Sequence, residues 1–136
     1  RIFTRWGFRE ILEKQAATIL QPDICHCGGI SEAIKIANMA EAYYALMAPH
    51  NPLGPVSLAA GLQVDASIPN FLCQEQVHLG EGYLKEPFVV KDGHIEVPKG
   101  PGLGIEVNED FLEEQKYPGD WDTPRWSLSD GSYVEW

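Results

Sequence analysis

The apolar positions of residues 1–76 alternate between a helical period and short runs typical of buried strands. Residues 8–16, "FREILEKQA", place their apolar side chains on one helical stripe and their charges on the other face. Residues 17–23, "ATILQPD", then form a short apolar run that stops at Pro22. These patterns predict a surface helix followed by a buried strand.

Two further helix and strand pairs follow along the chain, and residues 55–66 carry apolar residues on most faces, which is typical of a well-buried helix. We predict helices over residues 31–44 and 55–66, and strands over residues 44–49 and 70–75. Ser31 is the expected N-cap of the first of these helices, Tyr44 its last core-facing residue, and Pro55 suits the first turn of the second. Strict alternation of helix and strand indicates an α/β fold with parallel strands.

Residues 77–136 follow a different, mostly irregular pattern. Asp92-Gly93 lies between alternating apolar residues, which predicts a β-hairpin. The chain ends with an aromatic segment, residues 117–136, that holds three of the four tryptophans. Because exposed aromatic side chains are unfavourable, we expect this segment to pack over another part of the protein.

Composition narrows the class of protein. The chain has 136 residues, 44% of them hydrophobic, which is enough for one modest core. A formal charge of −10 argues against a nucleic-acid partner, and no apolar run of about 20 residues suggests a membrane span. Three cysteines favour reduced thiols and a cytoplasmic location. Since the sequence starts at Arg1 without a methionine, we expect a fragment of a longer protein.

Three ionisable residues stand at the carboxyl ends of the three predicted strands: Asp23, His50 and Glu75. The ends of parallel strands meet on one face, where α/β barrels carry their chemistry. A carboxylate beside an imidazole fixes its tautomer and stabilises its protonated form, which favours a general base. The alternatives are that Asp23 only caps a turn, that His50 is structural and that Glu75 forms an ion pair.

Other polar motifs carry less chemistry. "CHC" at residues 25–27 could suggest a metal site, but neighbouring ligands on one short loop cannot close a tetrahedron. His78 and His94 follow no predicted strand, and we assign them to loop or surface roles.

Four segments carry a resemblance to a known family. "QPDICHCGGISEAIKIANMAEAY", "MAPHNPLGPVSLAAGLQVDA", "NFLCQEQ" and "DGHIEVPKGPGLGIEVNEDFL" resemble the acid-sugar dehydratases of the enolase superfamily, in its mandelate racemase subgroup. The resemblance implies that residues 1–76 are the last β/α units of a (β/α)7β barrel. It also implies that residues 77–136 return to an α+β capping domain.

The resemblance further implies a reaction and a role for each strand-end residue. His50 is expected to remove the proton α to the carboxylate of a sugar acid such as D-galactonate. Asp23 is its dyad partner, and Glu75 stabilises the enediolate by hydrogen bonding. One Mg²⁺ binds the substrate carboxylate in such enzymes, and loss of the β-hydroxyl gives a 2-keto-3-deoxy acid.

The remaining parts of such an enzyme are expected outside this chain. The resemblance places the metal ligands, the general acid and the cap in the protein preceding Arg1, so the 136 residues alone should be inactive. The expected partners are the sugar acid, the rest of the same protein and further copies of it in a homo-oligomer. A racemase or epimerase, or a noncatalytic fragment, remains an alternative, because the dyad suits any α-proton abstraction.

Overall fold

The computed structural model describes residues 2–120 and 126–132, in which helices alternate with very short strands. In chain order the elements are α1 (Arg5–Glu13), β1 (Ile19–Leu20), α2 (Ile24–Cys27), α3 (Ile30–Glu41), β2 (Leu46–Met47), α4 (Pro55–Asp65), β3 (Val90–Lys91), β4 (His94–Ile95) and α5 (Glu109–Glu114). The predicted alternation of the first 76 residues is confirmed, although the strands are shorter than predicted.

The two strands β1 and β2 pair in parallel, as predicted. Ile19 lies opposite Leu46, and Leu20 lies opposite Met47. Leu20 and Met47 are buried in the core with the helices, whereas Ile19 and Leu46 keep 46% and 38% of their surface exposed. One face of the sheet is therefore covered by helices, and the other is open within the part of the chain that the structure describes.

The third predicted strand, residues 70–75, is present only as a single bridge. Met47 pairs in parallel with Phe71. The Met47 N–H donates to the Asn70 carbonyl at 2.8 Å, and the Leu72 N–H donates to the Met47 carbonyl at 2.8 Å. This segment thus lies beside β2 with the spatial order that three successive β/α units require.

Helix α3 lies at the centre of the core and packs against α1, α2, α4 and β2. Its buried side chains are mostly small: Ala33, Ile36, Ala37 and Ala40. Alanines on a helix face let neighbouring helices approach closely without leaving gaps, and removal of apolar surface from water stabilises the packing.

The predicted ends of α3 were wrong. The N-cap is Gly29, and Ser31 lies inside the first turn without capping it. Gly28 and Gly29 adopt φ values of 113° and 91°, so the chain can turn directly into the helix at Ile30. At the other end, Tyr44 follows the helix with φ of 58° and is 95% exposed rather than facing the core.

The second region, residues 77–120 and 126–132, contains a hairpin and a short helix, and a side chain of the first region, residues 2–76, bonds to it. Asp92 and Gly93 have φ values of 50° and 76° and join β3 to antiparallel β4, which confirms the predicted hairpin. Gln63 of α4 donates from Nε2 to the Pro98 carbonyl at 3.0 Å. Helix α5 was not predicted; the Asn108 side chain caps it by accepting from the Phe111 N–H at 3.3 Å.

The predicted packing of the aromatic tail remains a prediction. Residues 121–125 and 133–136, with Trp121 and Trp136, lie outside the described residues, and Trp126 is half-exposed. Within the described residues, no helix has the length and apolar character needed to cross a membrane.

Candidate active site

Asp23, His50 and Glu75 emerge at the same end of the three paired segments. Asp23 follows β1, and His50 follows β2. Asp23 and His50 themselves form an isolated parallel bridge, and the His50 N–H donates to the Pro22 carbonyl at 3.2 Å. Backbone pairing therefore brings these side chains to one edge of the sheet, as expected for the ends of parallel strands.

The Asp23 carboxylate and the His50 imidazole are in direct contact. His50 Nδ1 lies 3.0 Å from Asp23 Oδ2. Asp23 is buried, whereas the His50 side chain is 44% exposed. Because an ionised carboxylate can only accept, Nδ1 is the nitrogen that donates, and in a neutral ring the lone pair is then on Nε2. The exposed Nε2 can then accept a proton from a molecule bound above the strand ends.

Asp23 is also the N-cap of α2. Its Oδ1 accepts hydrogen bonds from the backbone N–H groups of Cys25 at 2.8 Å and His26 at 3.1 Å. Burial by itself would raise the pKa of Asp23, but the hydrogen bonds from His50 and His26 outweigh it and lower the pKa below its ordinary value. The capping role and the imidazole contact thus coexist, and both hold Asp23 as a carboxylate.

Glu75 lies on the open side of His50. Its Oε2 is 4.0 Å from His50 Nε2, too far for a hydrogen bond but close enough to face the same space. The Asn51 N–H donates to Glu75 Oε2 at 2.8 Å, which fixes the orientation of the carboxyl group. A substrate atom between Nε2 and Oε2 could contact both groups.

The Gln74 side chain ties the two strand ends together. Its Nε2 donates to the Pro49 carbonyl at 3.1 Å and to the Glu75 carbonyl at 2.7 Å. Gly61 of α4 makes room for it, since a Cβ at that position would lie 2.8 Å from Gln74 Oε1. The Gln74 side-chain amide therefore links the backbone just before His50 to the backbone of Glu75.

His26 belongs to this centre, and sequence analysis missed it. His26 Nδ1 lies 3.1 Å from Asp23 Oδ2, the same oxygen that contacts His50. The residue follows the N-cap by three positions, where a side chain of the first helical turn can reach back to the cap. The spacing of three residues between Asp23 and His26 could have indicated this contact, but only if α2 had been predicted.

The two cysteines of the "CHC" motif point away from each other. Cys25 Sγ lies 3.4 Å from Ser57 Oγ, while the buried Cys27 faces the Ile24 and Gly29 carbonyls at 3.8 Å. Burial raises the pKa of the Cys27 thiol, so it remains protonated at neutral pH.

A metal ion does not fit the side chains that the structure describes. Among residues 2–120 and 126–132, no group of three or more His, Cys, Asp or Glu side chains could hold one. A centre with one buried carboxylate, two imidazoles and an outlying Glu75 is suited to proton transfer.

Sequence comparison connects the chain to one family. Residues 1–111 match the family described as "Enolase C-terminal domain-like". The D-galactonate dehydratase of Ralstonia pickettii (strain 12J) is 44% identical over 147 aligned residues, which cover all of this chain and 38% of that protein. The D-galactonate dehydratase of Xanthomonas campestris pv. campestris (strain B100) is 46% identical over the same shares. The chain therefore spans well under half the length of these curated relatives.

Solved structures show the same architecture. An enolase from Agrobacterium radiobacter, with bound Na and L-malate, superposes with a TM-score of 0.83 and 35% identity over 97% of this chain and 38% of that one. A mandelate racemase/muconate lactonizing enzyme from Sulfitobacter sp. superposes with a TM-score of 0.80 and 42% identity over 88% of this chain and 31% of that one.

Proposed function

We propose, because this chain belongs to the enolase C-terminal domain-like family, that it supplies the proton-abstracting part of a sugar-acid dehydratase. The substrate we favour is D-galactonate, the acid named in the curated relatives, and the product is a 2-keto-3-deoxy acid. The active unit is a longer protein, meaning this chain together with the parts of its relatives' length that it does not span.

The observation that carries this proposal is the 3.0 Å contact between Asp23 Oδ2 and His50 Nδ1. In the proposed step, His50 Nε2 takes the proton from the carbon α to the substrate carboxylate. The imidazole becomes cationic next to the Asp23 carboxylate, whose opposite charge stabilises it in a partly desolvated setting. The fixed Nδ1 contact keeps the ring oriented throughout.

Glu75 is proposed to act on the substrate oxygen that gains charge. It faces the same space as His50 Nε2 at 4.0 Å, and Asn51 holds its carboxyl group. A hydrogen bond from that carboxyl group to the enediolate would stabilise the intermediate.

The other parts of the active site are assigned to the rest of the longer protein. Among the described residues, no group of three or more His, Cys, Asp or Glu side chains could hold a metal ion, and we assign the Mg²⁺ ligands to segments of the longer protein. We assign the general acid and the capping domain to those segments as well. The open face of β1 and β2, with Ile19 and Leu46, is suited to packing against the remaining strands of a barrel.

The test compares His50→Asn with the unchanged longer protein supplied with D-galactonate and Mg²⁺. The Asn amide can still donate to Asp23, but it offers no base at the position of Nε2. We expect 2-keto-3-deoxy acid formation to fall by at least about 10³-fold. His78→Asn is the matched control, because His78 bonds to the Gly80 N–H in the second region.

Unchanged turnover by His50→Asn would contradict the role of His50.

A racemase or epimerase is the second candidate, since the same dyad would serve it. A mandelate racemase/muconate lactonizing enzyme from Sulfitobacter sp. shares this architecture. Reaction in D₂O separates the two candidates. A racemase returns a deuterated epimer without loss of water, whereas a dehydratase releases the keto acid.

A further inference from the structure

A single oxygen of Asp23 contacts two imidazoles. Asp23 Oδ2 lies 3.0 Å from His50 Nδ1 and 3.1 Å from His26 Nδ1. His26 lies on α2, and half of its side chain is exposed. His50 therefore shares the Asp23 carboxylate with His26.

Four nitrogen atoms lie close to the Asp23 carboxylate. A carboxylate offers about four lone-pair sites on its two oxygens. Oδ1 accepts from the backbone N–H groups of Cys25 and His26, and Oδ2 contacts the two imidazoles. His26 thus donates to Oδ1 from its backbone, and its ring nitrogen lies 3.1 Å from Oδ2.

The His26 ring also has an aromatic neighbour, Phe3. The two ring centroids are 6.0 Å apart, with the planes tilted by 40°. The His26 ring therefore contacts both Asp23 and Phe3 while half of it stays exposed to solvent.

We propose that His26 is a positioning residue, which fixes Asp23 Oδ2 and shares its charge so that His50 stays neutral and able to accept a proton. A neutral His26 that donates to Oδ2 reduces the negative charge available to a cationic His50. A protonated His26 would also repel that cation. Both states act in the same direction.

The other ionisable groups near this centre cannot replace that effect. Glu75, on the far side of His50, acts in the opposite direction because its negative charge favours a cationic ring. Cys25 and Cys27, on α2, face Ser57 and backbone carbonyls. Glu32, on α3, is paired with Arg5 at 2.5 Å.

The experiment compares His26→Leu with His26→Asn in the longer protein. Leu removes the side-chain donor, whereas Asn places an amide N–H close to the position of Nδ1. Both variants keep the backbone donor to Oδ1, and the exposed position tolerates either side chain. Two quantities are measured for each variant. The pH dependence of kcat/KM rests on the proposed function, whereas the NMR titration of the His50 imidazole does not.

We expect His26→Leu to lose activity mainly at low pH. Its kcat/KM should fall at least about threefold more at pH 6 than at pH 8, because His50 is then protonated over a wider range. His26→Asn should restore most of the loss at pH 6. The NMR titration of the His50 imidazole should move to higher pH in His26→Leu and less in His26→Asn.

Two results would overturn the proposal. The first is an unchanged His50 titration in both variants, and the second is an equal loss of activity at all pH values in both. If the longer protein does not dehydrate any sugar acid, the NMR titration still tests His26, so this failure is distinct from failure of the proposed function.

Discussion

The two regions of the chain differ in how they are held together. Residues 8–68 contain nearly all of the buried apolar side chains; among residues 77–120 and 126–132, Leu84 is the only one. The second region is held instead by the β3–β4 hairpin, the Gln63 contact to Pro98 and the antiparallel bridge between Leu84 and Val107. The candidate site therefore depends on the packed region, where strand register sets its geometry.

The largest contrast in stability is expected between Met47→Ala and Val89→Ala. Met47 is fully buried beneath the helices, whereas Val89 is 72% exposed. Met47→Ala should reduce the free energy of unfolding by about 2–5 kcal/mol, and Val89→Ala by less than about 0.5 kcal/mol. Denaturant titration of the two variants in the longer protein measures both. Equal losses would show that the second region is also packed against a core.

A second prediction concerns the buried carboxyl group of Asp65, at the end of α4. Neither of its oxygens has a hydrogen-bond partner within the described residues, and burial raises its pKa to about 7. A raised pKa means that the folded state favours the proton, so this contribution to stability is complete below pH ~4 and is lost as the pH rises through about 7.

Asp65→Asn should therefore stabilise the protein at pH 8 and change little at pH 4. Asn resembles the protonated acid in shape and carries no charge to bury. The gain at pH 8 should be on the order of 2–4 kcal/mol, measured by denaturant titration at both pH values. Equal stability of the two proteins at pH 8 would mean that Asp65 has a partner in the longer protein.

The smallest expected effect separates stability from activity inside the packed region. Gly61→Ala adds a Cβ 2.8 Å from Gln74 Oε1, so the amide that links Pro49 to Glu75 must shift. Alanine also favours a helix by about 1 kcal/mol, which offsets the clash. We expect kcat to fall a few-fold, which corresponds to a rise of about 1 kcal/mol or less in the activation free energy. The free energy of unfolding should be nearly unchanged.

A matched control for Gly61→Ala uses Gln74→Ala. Once the Gln74 side chain is truncated, the added Cβ has nothing to displace. The double variant should therefore be no less active than Gln74→Ala alone. If the two losses simply add, the effect of Gly61 does not act through Gln74.

The sequence pattern predicted the main helices because the first has a clear apolar stripe, whereas the helix at residues 55–66 begins at a proline and is apolar on most faces. Residues 8–16 and 55–66 lie close to α1 and α4. The strands end earlier than predicted, at Leu20 and Met47, but Asp23 and His50 still pair in an isolated parallel bridge beyond those ends. The site residues could be selected from sequence because parallel strands present their ends on one face. Their chemical roles remain proposals.

The features that were missed depend on backbone geometry that no hydrophobic pattern records. Helix α2 has only four residues, about one turn, so it has no period to detect. The positive φ values of Gly28 and Gly29 move the start of α3 ahead of Ser31. His26 reaches Asp23 only because α2 exists, and so the second imidazole could not be inferred before the fold was known.

The most direct test of the Asp23–His50 dyad is exchange of the substrate α-proton with D₂O, followed by NMR in the longer protein with D-galactonate and Mg²⁺. This measurement isolates proton abstraction from the later loss of water. We predict that His50→Asn abolishes both exchange and product formation, and that Asp23→Asn slows both strongly. Exchange at the unchanged rate in His50→Asn would contradict the account.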